Sequence, residues 1–361
     1  MNIVIRSPNW IGDCIMCLPA LRALKDHFPE DDIYLVAKHH LNDLFQNLEE
    51  IKETLTIPDT IGFKNIFKIA KKLKKYHFDY GILFTNSFHS ALLFKLSNIK
   101  NLTGYSKDLR GFLLNNKIKF PTSSDRDSNR HHIYFYMDLV DFFLNKTNGG
   151  KIKKKYSDEL ILSKEEKETI HPLLAELGIN VSKRLIGISP SAAYGSAKQW
   201  LPERFGELIK RIRKEIAECE FLLFGSSKER EKISKIIETN TIDHKDGKTH
   251  NLAGQLSLRE SITAISFCDV FVSNDSGLMH VASSLRVPLV AIFGPTQPQQ
   301  TAPLREENKN IKILYHPVQC APCLHRDCPL DHRCMKAISV DEVFDALVSL
   351  LSPSTSTLTS T

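Results

Sequence analysis

The sequence predicts an α/β protein of two doubly wound, Rossmann-like domains facing a cleft, and three observations carry that prediction. Short apolar runs alternate with apolar-periodic helical stretches along most of the chain, as parallel sheets covered on both faces require. The alternation occurs twice, separated by a hydrophilic break over 148–182 that holds Asn148-Gly149-Gly150 and a lysine run at 151–155. At 361 residues, the chain also exceeds what one typical core accommodates.

In the first half, 3–5 reads as a strand, 12–28 as a helix, 33–37 as a strand and 61–76 as a helix. A strand at 80–84, a helix at 89–96 and, beyond a polar loop, a helix at 130–144 complete it. The second half opens with a strand at 185–189, then a helix at 202–217, a strand at 221–224 and a helix at 227–238. A helix at 258–267, a strand at 270–272, a helix carrying Leu278, Val281, Ala282 and Leu285, and a strand at 289–293 follow. The expected division is 1–165 for the first domain and 166–338 for the second. A final helix at 339–351 is free in principle to cross back onto the first domain, and 352–361, a Ser/Thr-rich stretch without charge, reads as a disordered tail.

Composition places the chain among ordinary soluble proteins, with 42% hydrophobic and 25% charged residues. Its apolar runs are too short to span a bilayer, and Arg6 and Asp13 interrupt the only stretch that could resemble a signal peptide. A cytoplasmic location is expected, with any membrane contact peripheral. The net charge of +6 is concentrated: residues 60–120 hold twelve Lys or Arg against Asp79 and Asp108 alone. Lys64, Lys68, Lys71, Lys72, Lys74 and Lys75 fall on one helix whose apolar side is expected to be Ile66, Phe67, Ile69, Ala70 and Leu73. Such a run is either a solvated face or an attraction to an anionic surface. No nucleic-acid motif accompanies it, so nucleic acid is not an expected partner.

The strand-to-helix turns carry the chemistry, because ligands of such sheets sit at the carboxyl ends of strands. Asn274-Asp275-Ser276-Gly277 ends one strand and opens a helix. Asp275 or Ser276 is placed to cap that helix, and the first-turn N–H groups suit a phosphate. Ser7-Pro8-Asn9-Trp10-Ile11-Gly12-Asp13 ends the first strand, and Asp13 near a helix start is either a first-turn residue or a carboxylate able to take a proton from a hydroxyl. The segment Ser189-Pro190-Ser191-Ala192-Ala193-Tyr194-Gly195-Ser196-Ala197-Lys198 offers one ammonium among small residues, suited to a phosphate oxygen that leaves with charge. Glu229, after Phe224-Gly225-Ser226-Ser227-Lys228, reads equally as a ribose-binding acid or a helix cap. No Gly-x-Gly-x-x-Gly motif is present, which weighs against a nicotinamide or flavin.

Taken together and in this order, PNWIGD, AAYGSAKQW and NDSGLMHVA resemble the ADP-heptose:lipopolysaccharide heptosyltransferases of glycosyltransferase family 9, over about residues 2–350. The opening motif looks more like the heptosyltransferase II branch than the I branch. The resemblance implies a GT-B fold and an inverting, metal-independent transfer. Its donor would be ADP-L-glycero-D-manno-heptose, its acceptor lipid A–Kdo–heptose, at the cytoplasmic face of the inner membrane. It also implies that Asp13 is the general base and Lys198 the phosphate-contacting lysine. Asp275, Ser276 and Gly277, with Ser189 and His280 nearby, would form the donor loop, and Glu229 is a looser match to the ribose-binding acid. The basic helix, with Lys64, Lys68, Lys71, Lys72 and Lys75, then gains a purpose against an anionic glycolipid surface.

Cys320, Cys323, Cys328 and Cys334 concentrate four of eight cysteines, with His325 and His332 between, and suggest a structural zinc. Reduced structural thiols, or a disulfide formed after lysis, are the alternatives. Cys14 and Cys17, three apart among Ile15, Met16 and Leu18, fit buried core thiols better than a redox pair. The rivals to the preferred reading are a sister activity of the same family, such as heptosyltransferase I, and a non-enzymatic, zinc-stapled protein that binds an anionic surface.

Overall fold

The computed structural model describes residues 1–121, 130–147, 149–152, 154–216, 218–239, 248–304 and 310–351, except the side chains of Phe63 and Lys64. The chain divides into two compact units, and the second begins at Leu162.

The first unit is built on β1 (Asn2–Arg6), whose Ile3, Val4 and Ile5 are fully buried. A strand covered on both faces must be apolar at consecutive positions, and this one is. It pairs in parallel with β2 (Asp32–Lys38) on one side and β4 (Tyr80–Leu83) on the other. Adding β3 (Glu53–Ile57), β5 (Asn101–Tyr105) and β6 (Asn116–Ile118) gives an all-parallel sheet in the order β3-β2-β1-β4-β5-β6. Helices α1 (Ile11–Met16) and α2 (Leu18–His27) follow β1, α3 (Phe63–Lys74) follows β3, α4 (Phe88–Leu96) follows β4, and α5 (His132–Lys146) packs on α2. Strand order reverses between β1 and β4.

The second unit repeats the plan. Its sheet, β12-β11-β10-β7-β8-β9, is also all parallel. The strands are β7 (Arg184–Ser189), β8 (Cys219–Leu223), β9 (Thr249–Asn251), β10 (Val270–Asn274), β11 (Leu289–Phe293) and β12 (Ile311–Tyr315). Here order reverses between β7 and β10. The helices are α6 (Lys164–Glu176), α7 (Pro202–Glu215), α8 (Arg230–Thr239), α9 (Leu258–Ile265) and α10 (Gly277–Ser284). Fully buried Trp200 centres the core and donates from Nε1 to Ile338 O at 3.0 Å.

Several sequence expectations change. The single helix at 12–28 is two, broken at Cys17, because Pro19 has no N–H to continue the ladder. The hydrophilic break at 148–182 contains α6, which starts with a capping box in which Ser163 and Glu166 each bond the other's backbone N–H. Glu166 also pairs with Arg259 at 2.5 Å, anchoring α6 to α9. On α3, Ile66, Ala70 and Leu73 are buried as expected, but Phe67 is 62% exposed among the lysines. The C-terminal helix, Val340–Leu351, buries Val343, Phe344 and Leu347 in the second unit's own core. The expected tail at 352–361 lies outside the described residues.

Candidate active site

In the first unit, the loop after β1 is shaped by Arg6. Its guanidinium is buried and donates to Ser7 O (2.7 Å), Val36 O (3.1 Å) and Asn9 Oδ1 (2.8 Å), and burial lowers its pKa to about 10. This fixes residues 7–9 and delivers Asp13 onto the first turn of α1. Tyr136 of α5 donates its hydroxyl to Asp13 Oδ1 at 3.1 Å. Burial, then the charge of Asp13, pushes that phenol well above its ordinary value, so Tyr136 stays a donor.

Asp13 and Tyr136 line a pocket of about 250 Å³. Its walls come from the loop after β1 (Pro8, Asn9, Trp10), the loop after β4 (Phe84 to Ser87) and aromatic residues of the later chain, Tyr105, Phe120, His132 and Phe135. The two loops are those at the strand-order reversal, where a doubly wound sheet opens a crevice. Thr85 Oγ1 is buried there without a hydrogen-bond partner among the described residues. Arg110, fully buried, holds the second loop through Thr85 O and Asn86 Oδ1 (3.2 Å), and reaches Tyr105 O at 2.9 Å. An aromatic-walled pocket with one carboxylate and a few hydroxyls suits a polyhydroxylated ring: the rings cover its apolar face and the polar groups take its hydroxyls.

In the second unit, the chemistry again gathers at the order reversal, between the loops after β7 and β10. Asn274, fully buried at the end of β10, donates to Pro190 O (2.8 Å) and accepts from Trp200 N (2.9 Å), fastening both ends of the lysine loop. Lys198 Nζ meets Asp275 Oδ2 at 2.5 Å, and Thr296 Oγ1 donates to the same oxygen at 2.7 Å. The ammonium also lies 4.9 Å from the Tyr194 ring centroid. A second loop lies on this one: Ala197 N donates to Arg326 O (2.9 Å), Tyr194 OH to Leu324 O (2.7 Å) and Ser196 Oγ to Asp327 Oδ1 (2.7 Å). At Gly195 the loops are so close that a Cβ would stand 2.2 Å from Arg326 O, so only glycine fits. Ser191 Oγ is buried in this loop with no hydrogen-bond partner among the described residues.

The predicted residues fare differently. Asp13 lies in the first pocket, while Ser189, Lys198, Asp275 and Ser276 lie at the second reversal. Lys198 and Asp275 are partners rather than independent contacts, which the spacing of 77 residues does not disclose. Ser276 occupies the N-cap position of α10 but makes no cap bond. Its hydroxyl instead pairs with that of Ser273 at 3.1 Å, leaving Gly277 to open the helix. His280 is buried one turn further on. Glu229 takes the capping role: Oε2 accepts from Ser226 N (2.7 Å) and Ser226 Oγ (2.8 Å). Lys68, Lys71, Lys72 and Lys75 are exposed on or at the end of α3, and the Lys64 side chain lies outside the described residues. Among the described residues no group of three or more His, Cys, Asp or Glu side chains is arranged to hold a metal ion. Cys320, Cys323 and Cys328 are half-buried free thiols, and Cys334 is drawn into the core beside Gly294 and Met335. The four thiols lie near one another: burial first, then the charges of Cys320, Cys328 and Cys323, raise the pKa of the Cys334 thiol. Sequence reasoning missed Tyr136, Arg110, Asn274 and Thr296, since each acts through a partner remote in the chain.

Comparison with known proteins adds to this geometry. The profile of glycosyltransferase family 9 (heptosyltransferase) matches residues 66–333. The chain is 29% identical to lipooligosaccharide heptosyltransferase 2 of Campylobacter jejuni, covering 98% of this chain and 100% of that protein. It is likewise 29% identical to lipopolysaccharide heptosyltransferase 2 of Escherichia coli, over 88% of this chain and 90% of that one. The solved structure of E. coli ADP-heptose lipopolysaccharide heptosyltransferase II superposes with a TM-score of 0.82 at 26% identity, covering 97% of this chain and 98% of that chain.

Proposed function

Because this chain belongs to glycosyltransferase family 9, we propose that it is a heptosyltransferase of the second type. It transfers L-glycero-D-manno-heptose from ADP-heptose to the first heptose of the lipopolysaccharide inner core. The observation that carries this reading is the end-to-end likeness to heptosyltransferase 2 proteins, 98% of this chain against 100% of the C. jejuni relative. The arrangement of Asp13 and of the Lys198–Asp275 pair supports it.

Each unit supplies one part of the chemistry. The first-unit pocket takes the acceptor sugar, and Asp13 removes the proton from its hydroxyl as that oxygen attacks the anomeric carbon of the donor. Tyr136 holds Asp13 through one oxygen and so orients the other. The second unit takes ADP-heptose. Lys198 and the first turn of α10 meet the charge on the departing diphosphate, while Asp275, exchanged from Lys198 by the phosphates, becomes available to sugar hydroxyls. The bond from the anomeric carbon to the phosphate oxygen breaks, the new glycosidic bond forms on the opposite face, and ADP leaves with inverted configuration at the sugar. Lys198 supplies the positive charge, so the transfer is read as metal-independent and should persist in a chelator.

The lysines of α3 are read as contacts with an anionic membrane surface, making the protein peripheral at the cytoplasmic face. No helix among the described residues is long and apolar enough to cross a membrane.

The test is transfer from ADP-heptose to two purified acceptors, Kdo-lipid A with and without its first heptose. Product from the heptose-bearing acceptor alone supports the reading. Product from the bare acceptor alone replaces it with the first heptosyltransferase activity, and no product from either removes the donor assignment.

A further inference from the structure

The residues that follow β5 spend conformational energy to expose apolar side chains. Asp108 and Leu109 are both left-handed, at φ 53° and 58°, a region that non-glycine residues enter at a cost. The result is a Leu109 side chain that is 91% exposed and a Phe112 that is 76% exposed. Nothing about this loop is slack. Between the two, Arg110 is fully buried and bonded to Tyr105 O, Thr85 O and Asn86 Oδ1. Ser106 N is tied to Ile118 O at 2.7 Å, and the Phe112 ring rests 6.1 Å from that of Phe88. A rigid loop that presents two large apolar residues to water is built for a surface that is not water.

The surroundings specify which surface. Trp10, 50% exposed in the loop after β1, and Phe67, exposed on α3, also belong to connections that leave the carboxyl ends of the first sheet's strands. α3 packs on α4, and α4 on the turn at 111–113, so these residues share one end of the unit. That end is basic: Lys68 is exposed on the second turn of α3, and Lys107, Lys117 and Lys119 flank the loop. Asp79 and Asp108 are the only acidic residues between 60 and 120. Apolar tips set in a field of lysines complement an anionic lipid bilayer, whose headgroups attract the ammonium groups while the tips enter the acyl boundary.

We propose that Leu109 and Phe112, held out by Arg110, are a wedge that seats this chain on an anionic lipid bilayer with the Asp13 pocket at the lipid surface. This rests on the lipid-linked acceptor proposed above. Arg110 is what joins the two, since the same guanidinium grips the pocket loop at Thr85 and Asn86. Lipid contact at the tips is thereby set at a fixed position relative to the pocket wall.

The experiment is co-sedimentation of the full chain with vesicles of phosphatidylethanolamine and phosphatidylglycerol, and with vesicles of phosphatidylcholine alone. The variants are Leu109→Asn, an exchange that suits the left-handed backbone, and Leu109→Asn with Phe112→Ser. The double variant should lose about tenfold or more in binding to the anionic vesicles. Its thermal midpoint, ADP binding and transfer to a deacylated, water-soluble acceptor should stay unchanged. Trp10 gives a second readout without mutation: the other tryptophan, Trp200, is fully buried, so a blue shift of emission on adding vesicles reports Trp10. Equal vesicle binding by wild type and double variant overturns the proposal, as does equal binding of the wild type to both vesicle types. Loss of self-association in the variant with vesicle binding intact overturns it too, by assigning the patch to a second copy. Absence of heptosyl transfer by the wild type, with vesicle binding still lost in the variant, would remove the functional reading and leave the lipid surface standing.

Discussion

Lys198 and Asp275, 77 positions apart, meet at 2.5 Å in a site where neither side chain is more than 14% exposed. The Lys198 ammonium is already neutralised, so on the proposed reading the donor phosphates exchange for a carboxylate rather than fill an empty cation site. On that reading the exchange would release Asp275 to the donor's own sugar.

Removing one partner leaves the other charge buried. Lys198→Met should therefore destabilise the protein by about 3–5 kcal/mol, toward the lower end because Thr296 still bonds Asp275. Adding Asp275→Asn should recover most of the loss, while ADP affinity stays depressed in both variants. Urea midpoints and calorimetric titration with ADP decide this, and a double variant no more stable than Lys198→Met would show the pair uncoupled.

Asp13→Asn should cut turnover and leave ADP binding intact, since the carboxylate lies in the first unit's pocket, which the proposed reading gives to the acceptor. The loss should be about a hundredfold or more, the usual contribution of a positioned base. Tyr136→Phe removes only the hydrogen bond at Oδ1, and kcat should fall by about tenfold. Unaltered kcat in the phenylalanine variant would take Tyr136 out of the positioning role.

Asn274→Ala leaves Pro190 O and Trp200 N without their shared partner in a fully buried site. The expected cost is about 2–4 kcal/mol, with weaker ADP binding because the lysine loop loses both fastenings. A stability loss with unchanged ADP affinity would mean that the loop holds its shape without them.

Cys14 and Cys17 are fully buried, and burial first, then nearby negative charge, pushes both thiols well above the usual range. A folded-state value above the unfolded one means that the native protein keeps protons the unfolded chain releases. This stability is fully present below the unfolded thiol value of about 8.5 and is lost as pH rises beyond it. The urea midpoint should therefore decline between about pH 8 and pH 10, and Cys14→Ala with Cys17→Ala should flatten the decline. Tyr136 acts with the same sign higher in the range. An unchanged slope in the double alanine variant would place the alkaline sensitivity elsewhere.

The centres of both sheets were readable from sequence because strands buried on both faces must be apolar at consecutive positions. β1, β7, β10 and β11 announce themselves in this way. β3, β5, β6, β9 and β12 did not. Asn101-Leu102-Thr103-Gly104-Tyr105 mixes polar and small residues, and Thr249-His250-Asn251 is only three residues long, so neither has a pattern that exceeds its neighbours. The α6 helix was hidden by its charge, although Ser163-x-x-Glu166 is a legible capping box. Within the site, single residues on strand-to-helix turns could be nominated one at a time. What turns have no power to reveal is pairing: Tyr136 with Asp13, Asn274 with Trp200, and Glu229 with Ser226.

The contact between Gly195 and Arg326 makes two loops, more than a hundred positions apart, one unit of inheritance. A chimera that borrows the lysine loop from a relative, without the matching residues 324–327, brings a foreign surface against Arg326 O, where even a methyl group has no room. The shape of the lysine loop is therefore not transferable through 190–200 alone: the two loops have to be exchanged together, and libraries that vary one should vary the other in step.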